Sequence, residues 1–201
     1  MRARLALKSS KTDVMLREIV LRDKPEEFLE ASAKGTVPVL VMDDGVVLDE
    51  SRDIMFWSLH RNDPENWLDV FAKDPDGCKD FLDRLDGPFK SNLDRYKYAS
   101  RYEDGKAEAE THRQAAATFL EDIDQTLGKQ AFLSGDKAGL LDFAALPFIR
   151  QFRIADPDWF DQQNWENLHP WLQDFLNSDR FASIMEKYKP WREVGGDGIA
   201  F

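Results

Sequence analysis

Residues 34–42 read Lys-Gly-Thr-Val-Pro-Val-Leu-Val-Met, and the part from Val37 to Met42 is apolar throughout, which predicts a buried β-strand. Asp43-Asp44-Gly45 follows, and an Asp-Gly pair between apolar runs is a strong signal for a β-hairpin turn. Val46-Val47-Leu48 then predicts the returning strand, and residues 52–60 predict a helix. The stretch therefore predicts a hairpin that leads directly into a helix, with Asp49-Glu50-Ser51 at the junction.

Pro38 and the junction after the hairpin carry the chemical information. Proline cannot donate to a strand ladder, and a cis Val37-Pro38 peptide would turn the Val37 N–H and carbonyl toward solvent, where they could pair with an extended peptide ligand. A helix that begins at Glu50-Ser51 offers N–H donors for a carboxylate, while Glu50 could accept from an ammonium. The pair could thus bind an α-amino acid head group. A simpler alternative is that Asp49 or Ser51 only caps the helix.

The surrounding sequence divides into two domains. Residues 2–9 predict the tail of a helix, residues 14–21 a strand, and residues 24–29 the start of a second helix. From about residue 75 onward the pattern is almost wholly helical, with helices predicted over 78–102 (interrupted at Gly87-Pro88), 106–127, 140–154, 170–177 and 180–188. We therefore predict an α+β domain over 1–62, a linker over 63–74 and an all-α domain over 75–201.

Composition excludes several classes of function. The chain has 201 residues and a net charge of −11, which would repel a phosphate backbone, so nucleic acid is not an expected partner. No run approaches the roughly 20 apolar residues of a membrane helix, and the first residues do not form a signal peptide, so we expect a cytoplasmic protein without membrane contact. Cys78 is the only cysteine, and the three histidines lie far apart, so we expect neither a disulfide nor a metal site.

The order of several motifs resembles the bacterial glutathione S-transferase family. The first domain carries Met-Arg-Ala-Arg-Leu-Ala-Leu, Lys-Gly-Thr-Val-Pro-Val-Leu and Glu-Ser-Arg-Asp-Ile-Met, and the second carries Phe132-Leu133-Ser134-Gly135-Asp136 followed by Leu141-Asp142-Phe143-Ala144-Ala145. The resemblance covers nearly the whole chain. It implies a thioredoxin-like N-terminal domain followed by an all-α C-terminal helical bundle, and it implies a homodimer.

The resemblance also implies a glutathione site. Val37 would pair through its backbone with the cysteinyl part of glutathione ahead of cis-Pro38, while Glu50 and Ser51 would hold the γ-glutamyl head. Lys34 would reach the glycine carboxylate, although it could equally be a solvated loop lysine. Candidates for the pocket of the second substrate are Tyr96, Tyr98, Tyr102 and Phe152, whose helical spacing is also typical of core residues.

Two departures from the family pattern bear on function. In the family, the stretch matching Met1–Arg4 lies inside the first helix, after a strand and a turn with the catalytic Cys, Ser or Tyr. We therefore expect an incomplete thioredoxin-like domain, with no catalytic residue in this chain and a true start upstream of Met1. The second departure is Gly139, where the family has a capping Ser or Thr. Cys78 is expected to be buried and structural, so it is a poor substitute for the nucleophile.

Two functions follow from the resemblance. The first is a glutathione-dependent transferase or thiol-exchange enzyme, with glutathione as co-substrate and a small-molecule electrophile or a mixed disulfide of a protein thiol as the second substrate. The alternative is a non-catalytic glutathione-binding or protein-interaction module with the same fold.

Overall fold

The computed structural model describes residues 1–102 and 105–201. Contacts divide the chain into two compact units, of which unit 1 comprises Met1–Glu65 with Ala182–Phe201 and unit 2 comprises Asn66–Phe181. The division differs from the sequence-based one at the C-terminus, because the last 20 residues pack with the N-terminal residues rather than with the helical unit. Part of the predicted linker is also structured, since it contains a short helix and the buried Trp67.

The elements follow one another in an α+β pattern and then in an almost wholly helical one. They are α1 (Arg2–Ser10), β1 (Met15–Leu16), α2 (Glu26–Ala31), β2 (Leu40–Val41), β3 (Val47–Leu48), α3 (Ser51–Arg61), α4 (Asp69–Lys73), α5 (Pro75–Arg84), α6 (Lys90–Lys97), α7 (Gly105–Leu127), α8 (Leu140–Ala155), α9 (Pro157–Asp161), α10 (Leu168–Leu176), α11 (Asp179–Ile184), α12 (Trp191–Val194) and β4 (Ile199–Ala200). A π-helical turn, Leu85–Phe89, joins α5 to α6, and a 3₁₀ turn, Ala99–Arg101, follows α6. No helix among the described residues is both long and apolar enough to cross a bilayer.

The predicted hairpin is present as β2 and β3, which pair antiparallel with Leu40 opposite Leu48. Gly45 has a φ of 85° at the turn, and its N–H donates to the Met42 carbonyl at 2.9 Å. The prediction of a buried strand is wrong in one respect, because Val37 and Val41 are 50% and 55% exposed. β2 is only two residues long and pairs, within the described part of the chain, with β3 alone, so the apolar run has few neighbours to bury its side chains.

A second strand pair joins the two ends of the chain. β4 pairs antiparallel with β1, with Ala200 opposite Met15, and the Phe201 N–H donates to the Val14 carbonyl at 3.0 Å. Phe201 also packs against the apolar cluster of unit 1, which comprises Ala3, Leu7 and Ile54 with Val14, Leu40, Leu48 and Trp57 around it. The C-terminal residues are therefore part of the core that positions α1, α3 and the hairpin.

Unit 2 is held together by buried aromatic and aliphatic side chains. Gly87-Pro88 interrupts the first long helix as predicted, and the π-helical turn accommodates the proline. Phe152 of α8 is 1% exposed and contacts several rings, those of Phe89, Tyr96, Trp159 and Phe160.

The start of α8 explains why the chain has glycine at position 139. Ser134 Oγ accepts from the Leu141 N–H at 3.2 Å and so takes the part of a capping hydroxyl at this helix start. A Cβ on Gly139 would lie 3.1 Å from both Ser134 Cβ and Oγ, so glycine allows the close approach. The buried Asp142 accepts from the Gly139 N–H at 3.1 Å.

Candidate functional site

The predicted peptide-binding residue Val37 lies on an exposed segment between α2 and β2. The Val37-Pro38 peptide bond is cis, as the family resemblance implies. Among the residues that the structure describes, none hydrogen-bonds to the backbone N–H or carbonyl of Val37. An exposed residue with both backbone groups unpaired can form two hydrogen bonds with an extended ligand, as one strand does with another.

Glu50 and Ser51 lie where the sequence predicts, at the first turn of α3. Glu50 has extended backbone angles, and its carbonyl accepts the Ile54 N–H at 3.1 Å, so the helix begins at this point. Neither Asp49 nor Ser51 caps α3 with its side chain, because Asp49 accepts from Ser32 and Lys34 and the Ser51 hydroxyl accepts from Arg2. The simpler capping interpretation therefore does not describe this junction.

Lys34 lies close to the same junction and bridges two carboxylates. Its Nζ is 2.9 Å from Asp49 Oδ1 and 2.8 Å from Glu50 Oε1. These hydrogen bonds, first to Asp49 and then to Glu50, raise the pKa of Lys34 well above its usual range. The pKa of Asp49 is lowered, chiefly by Lys34 and then by the Ser32 hydroxyl. Lys34, Glu50 and Ser51 are thus neighbours in space, although Lys34 is separated from the pair by the whole hairpin in sequence.

Arg2 is a residue of this site that the sequence analysis missed. Its side chain is almost fully buried, and Nε and Nη2 donate to Ser51 Oγ at 3.1 and 2.9 Å. Because the Ser51 oxygen accepts both bonds, its own hydrogen remains available to donate to a ligand. One signal was present in the sequence, since an arginine in the first turn of a helix opposes the helix dipole and needs another reason to be there.

Tyr96 and Phe152, two candidates for the second substrate's pocket, are brought together by α6 and α8. Their ring centroids are 5.3 Å apart. Burial raises the pKa of Tyr96 above its usual value, and the nearby Arg113 offsets part of this effect. Phe152 lies within the core of unit 2 rather than at its surface.

The other two candidates for this pocket, Tyr98 and Tyr102, each lie against an arginine side chain. The Arg101 guanidinium lies 4.0 Å from the Tyr98 ring centroid, and that of Arg95 lies 5.5 Å from the Tyr102 ring centroid. A cavity of about 310 Å³ in unit 2 has a different lining, which consists of Arg153, Phe160, Asp161, His169, Pro170, Leu172 and Gln173.

Cys78 lies in α5 and is only 2% exposed. Burial raises the pKa of its thiol, and the charge of Asp74 raises it further. A buried thiol with a raised pKa has little thiolate at neutral pH, so Cys78 is not suited to act as a nucleophile. The described residues also contain no group of three or more side chains that could hold a metal ion.

Comparisons with known proteins bear on the family and the fold. Residues 1–67 match the family model of the glutathione S-transferase N-terminal domain, and residues 93–174 match that of the C-terminal domain. Solved structures with a similar fold include poplar glutathione transferase F1, at 20% identity, a TM-score of 0.73 and coverage of 92% of this chain and 90% of that one.

Two further structures are similar at the same level. A glutathione S-transferase from Rhodospirillum rubrum F11 has 20% identity and a TM-score of 0.70, with 94% of this chain and 88% of that chain covered. Glutathione S-transferase-I bound with the ligand lactoylglutathione has 18% identity and a TM-score of 0.72, with 91% of each chain covered. The predicted fold class, a thioredoxin-like α+β domain followed by an all-helical one, is confirmed.

Proposed function

The chain belongs to the glutathione S-transferase family, and from this premise we propose that it binds glutathione at the junction of Val37, Glu50 and Ser51. Three groups that unit 1 contains support the proposal. They are an unpaired backbone donor and acceptor at Val37, a carboxylate at Glu50 and a hydroxyl at the start of a helix.

Each group suits one part of the tripeptide. The N–H and carbonyl of Val37 pair with the cysteinyl backbone, and the Ser51 hydroxyl donates to the γ-glutamyl carboxylate, which the helix N-terminus also attracts. Glu50 accepts from the γ-glutamyl ammonium. Lys34 provides the cation for the glycine carboxylate at the other end of the ligand.

A thermal-shift experiment on the full chain tests the binding proposal. A ligand that binds only the folded state at a hundredfold excess over its Kd adds about 2.7 kcal/mol, which raises the Tm of a chain of this size by roughly 5–10 °C. We expect reduced glutathione to produce such a shift and Glu50→Ala to remove most of it. Glu30→Ala removes an exposed carboxylate of α2 in the same unit and should leave the shift intact. If Glu50→Ala also leaves the shift intact, the γ-glutamyl assignment is wrong.

We propose further that bound glutathione is the co-substrate of a transferase or thiol-exchange reaction, with a small-molecule electrophile or a mixed disulfide as the second substrate. Support comes from the family, and lactoylglutathione is the ligand of one structure with a similar fold. Release of halide from a dinitrohalobenzene and reduction of a glutathione mixed disulfide measure the two reactions. A protein that binds glutathione but performs neither reaction fits the alternative, a non-catalytic binding module. The buried thiol of Cys78 is the observation that favours this alternative.

The family also supports a homodimer, and the use of a single cysteine suits a reducing compartment such as the cytoplasm. A dimer would have twice the chain mass of 23.2 kDa by light scattering.

A further inference from the structure

Lys34 donates a hydrogen bond to Glu50, the carboxylate that we assign to the ammonium of the ligand. Its Nζ donates to Glu50 Oε1 at 2.8 Å, and Glu50 is the more exposed of its two partners, with 57% of the side chain accessible against 28% for Asp49. Asp49 is also held by the Ser32 hydroxyl at 2.9 Å, and Ser32 is buried. Asp49 is therefore the better anchored of the two carboxylates, and the hydrogen bond from Lys34 to Glu50 is the one that breaks more easily.

A ligand ammonium at Glu50 competes with Lys34. Both groups are compact, strongly hydrated cations that donate to the same carboxylate, and two cations placed side by side repel each other. The long, flexible lysine side chain can leave Glu50 while it keeps its bond to Asp49. Binding of the γ-glutamyl head therefore leaves Lys34 with one carboxylate instead of two, unless the ligand supplies another.

We propose that Lys34 is a specificity-determining residue that couples recognition of the two ends of the ligand. This inference rests on the proposed function. A ligand with a glycine carboxylate gives the displaced Lys34 a new anionic partner, whereas γ-glutamylcysteine lacks that group and gains nothing in exchange. Lys34 thus favours the full tripeptide in two ways, because it attracts the glycine end and it competes with any ligand that has only the γ-glutamyl end.

The test compares two probes, reduced glutathione and reduced γ-glutamylcysteine, by calorimetric titration of the wild-type chain and of Lys34→Gln. We expect Lys34→Gln to bind glutathione about tenfold more weakly and γ-glutamylcysteine about threefold more tightly, which corresponds to a roughly thirtyfold loss of preference. Tighter binding of the dipeptide is the decisive sign, since a lysine that only attracts or only stabilises the fold cannot produce it. Lys24→Gln makes the same change of charge near Gly35 and should keep the wild-type preference.

The outcomes separate this inference from the proposed function. If Lys34→Gln has the wild-type Tm and changes the Kd of both probes by the same factor, or weakens both, Lys34 does not compete at Glu50. The glutathione site itself then stands. If the wild-type chain binds neither probe, the proposed function fails and this inference fails with it.

Discussion

Four hydrogen bonds converge on the side chain of Asp142 in the helical unit. It is fully buried, and Oδ1 accepts from the Leu133 N–H at 2.8 Å and from Trp171 Nε1 at 3.1 Å. Oδ2 accepts from the Ser134 and Gly139 N–H groups at 3.0 and 3.1 Å. Burial raises the pKa of Asp142, which means that the carboxylate is stabilised less by these four donors than it is penalised by the loss of water. Asp142 stabilises the fold mainly because it accepts from these donors, which would otherwise be buried without hydrogen-bond partners.

We predict that Asp142→Ala lowers the free energy of unfolding by on the order of 3 kcal/mol, because it leaves four donors without their acceptor. Asp142→Asn should cost less, since an amide oxygen in place of Oδ1 keeps two of the bonds while its NH₂ group faces the other two donors. Urea titration followed by tryptophan fluorescence measures both variants. Asp174→Ala, an exposed carboxylate on α10, is the control and should stay within about 0.5 kcal/mol of the wild type. Equal stability of Asp142→Ala and the control would contradict the role given to Asp142.

The sequence identifies individual site residues where adjacent residues specify the local structure. Val37, Glu50 and Ser51 could be singled out because a proline, a hairpin turn and a helix start are all specified by adjacent residues. Arg2 could not be assigned, because its partner Ser51 is 49 residues away and nothing in the sequence joins the starts of two helices. The bridge from Lys34 to Asp49 and Glu50 cannot be read from the sequence for the same reason, since 15 and 16 residues separate the partners.

At the scale of elements, the C-terminal strand is the main feature that the sequence did not predict. β4 has only two residues, follows three glycines, and pairs with a strand about 180 residues earlier. A period-2 pattern cannot be recognised over two residues, and a local pattern does not identify a distant partner. Two further interactions join the C-terminal residues to the segment after β1. The Trp191 N–H donates to the Glu18 carbonyl at 2.7 Å, and Arg192 forms an ion pair with Asp23.

Gly198 makes this strand pair testable. Its φ is 109°, and a Cβ at this position would lie 2.6 Å from the Leu16 carbonyl oxygen. We predict that Gly198→Ala lowers the free energy of unfolding by about 2–4 kcal/mol, because it combines a strained backbone with a clash against β1. Differential scanning calorimetry of the full chain measures the loss.

Gly45→Ala is the matched control, since Gly45 also has a positive φ, of 85°, but a Cβ there would meet nothing within 4 Å. It should cost only about 1 kcal/mol, the strain of the backbone alone. Equal losses in the two variants would mean that residue 198 does not approach β1 closely.

For the chain as a whole, the sequence predicts that an α+β part precedes a helical part, but it does not predict which residues belong to each compact unit. Hydrophobic periodicity located the long helices α7 and α8 well, because 23 and 16 residues give many repeats of the pattern. The assignment of residues 182–201 depends on packing rather than on pattern. Phe201 reaches the cluster of Ala3, Leu7 and Ile54, and no local signal in a terminal tripeptide could have shown it.

The two units differ in the kind of side chain they bury and in the length of their elements, and this difference predicts how they open. Among the described residues, every buried aromatic side chain belongs to unit 2, while the buried apolar side chains of unit 1 are aliphatic and its strands are two residues long. Local opening costs least where few apolar contacts and few protected backbone hydrogen bonds are lost. We therefore predict that amide hydrogen exchange at neutral pH is at least about tenfold faster in α1 and α3 of unit 1 than in α7 and α8 of unit 2, as measured by mass spectrometry of peptic fragments. Reduced glutathione should slow amide exchange most strongly in residues 34–51, where the proposed site lies. Uniform exchange across the two units would show instead that they open as a single cooperative body.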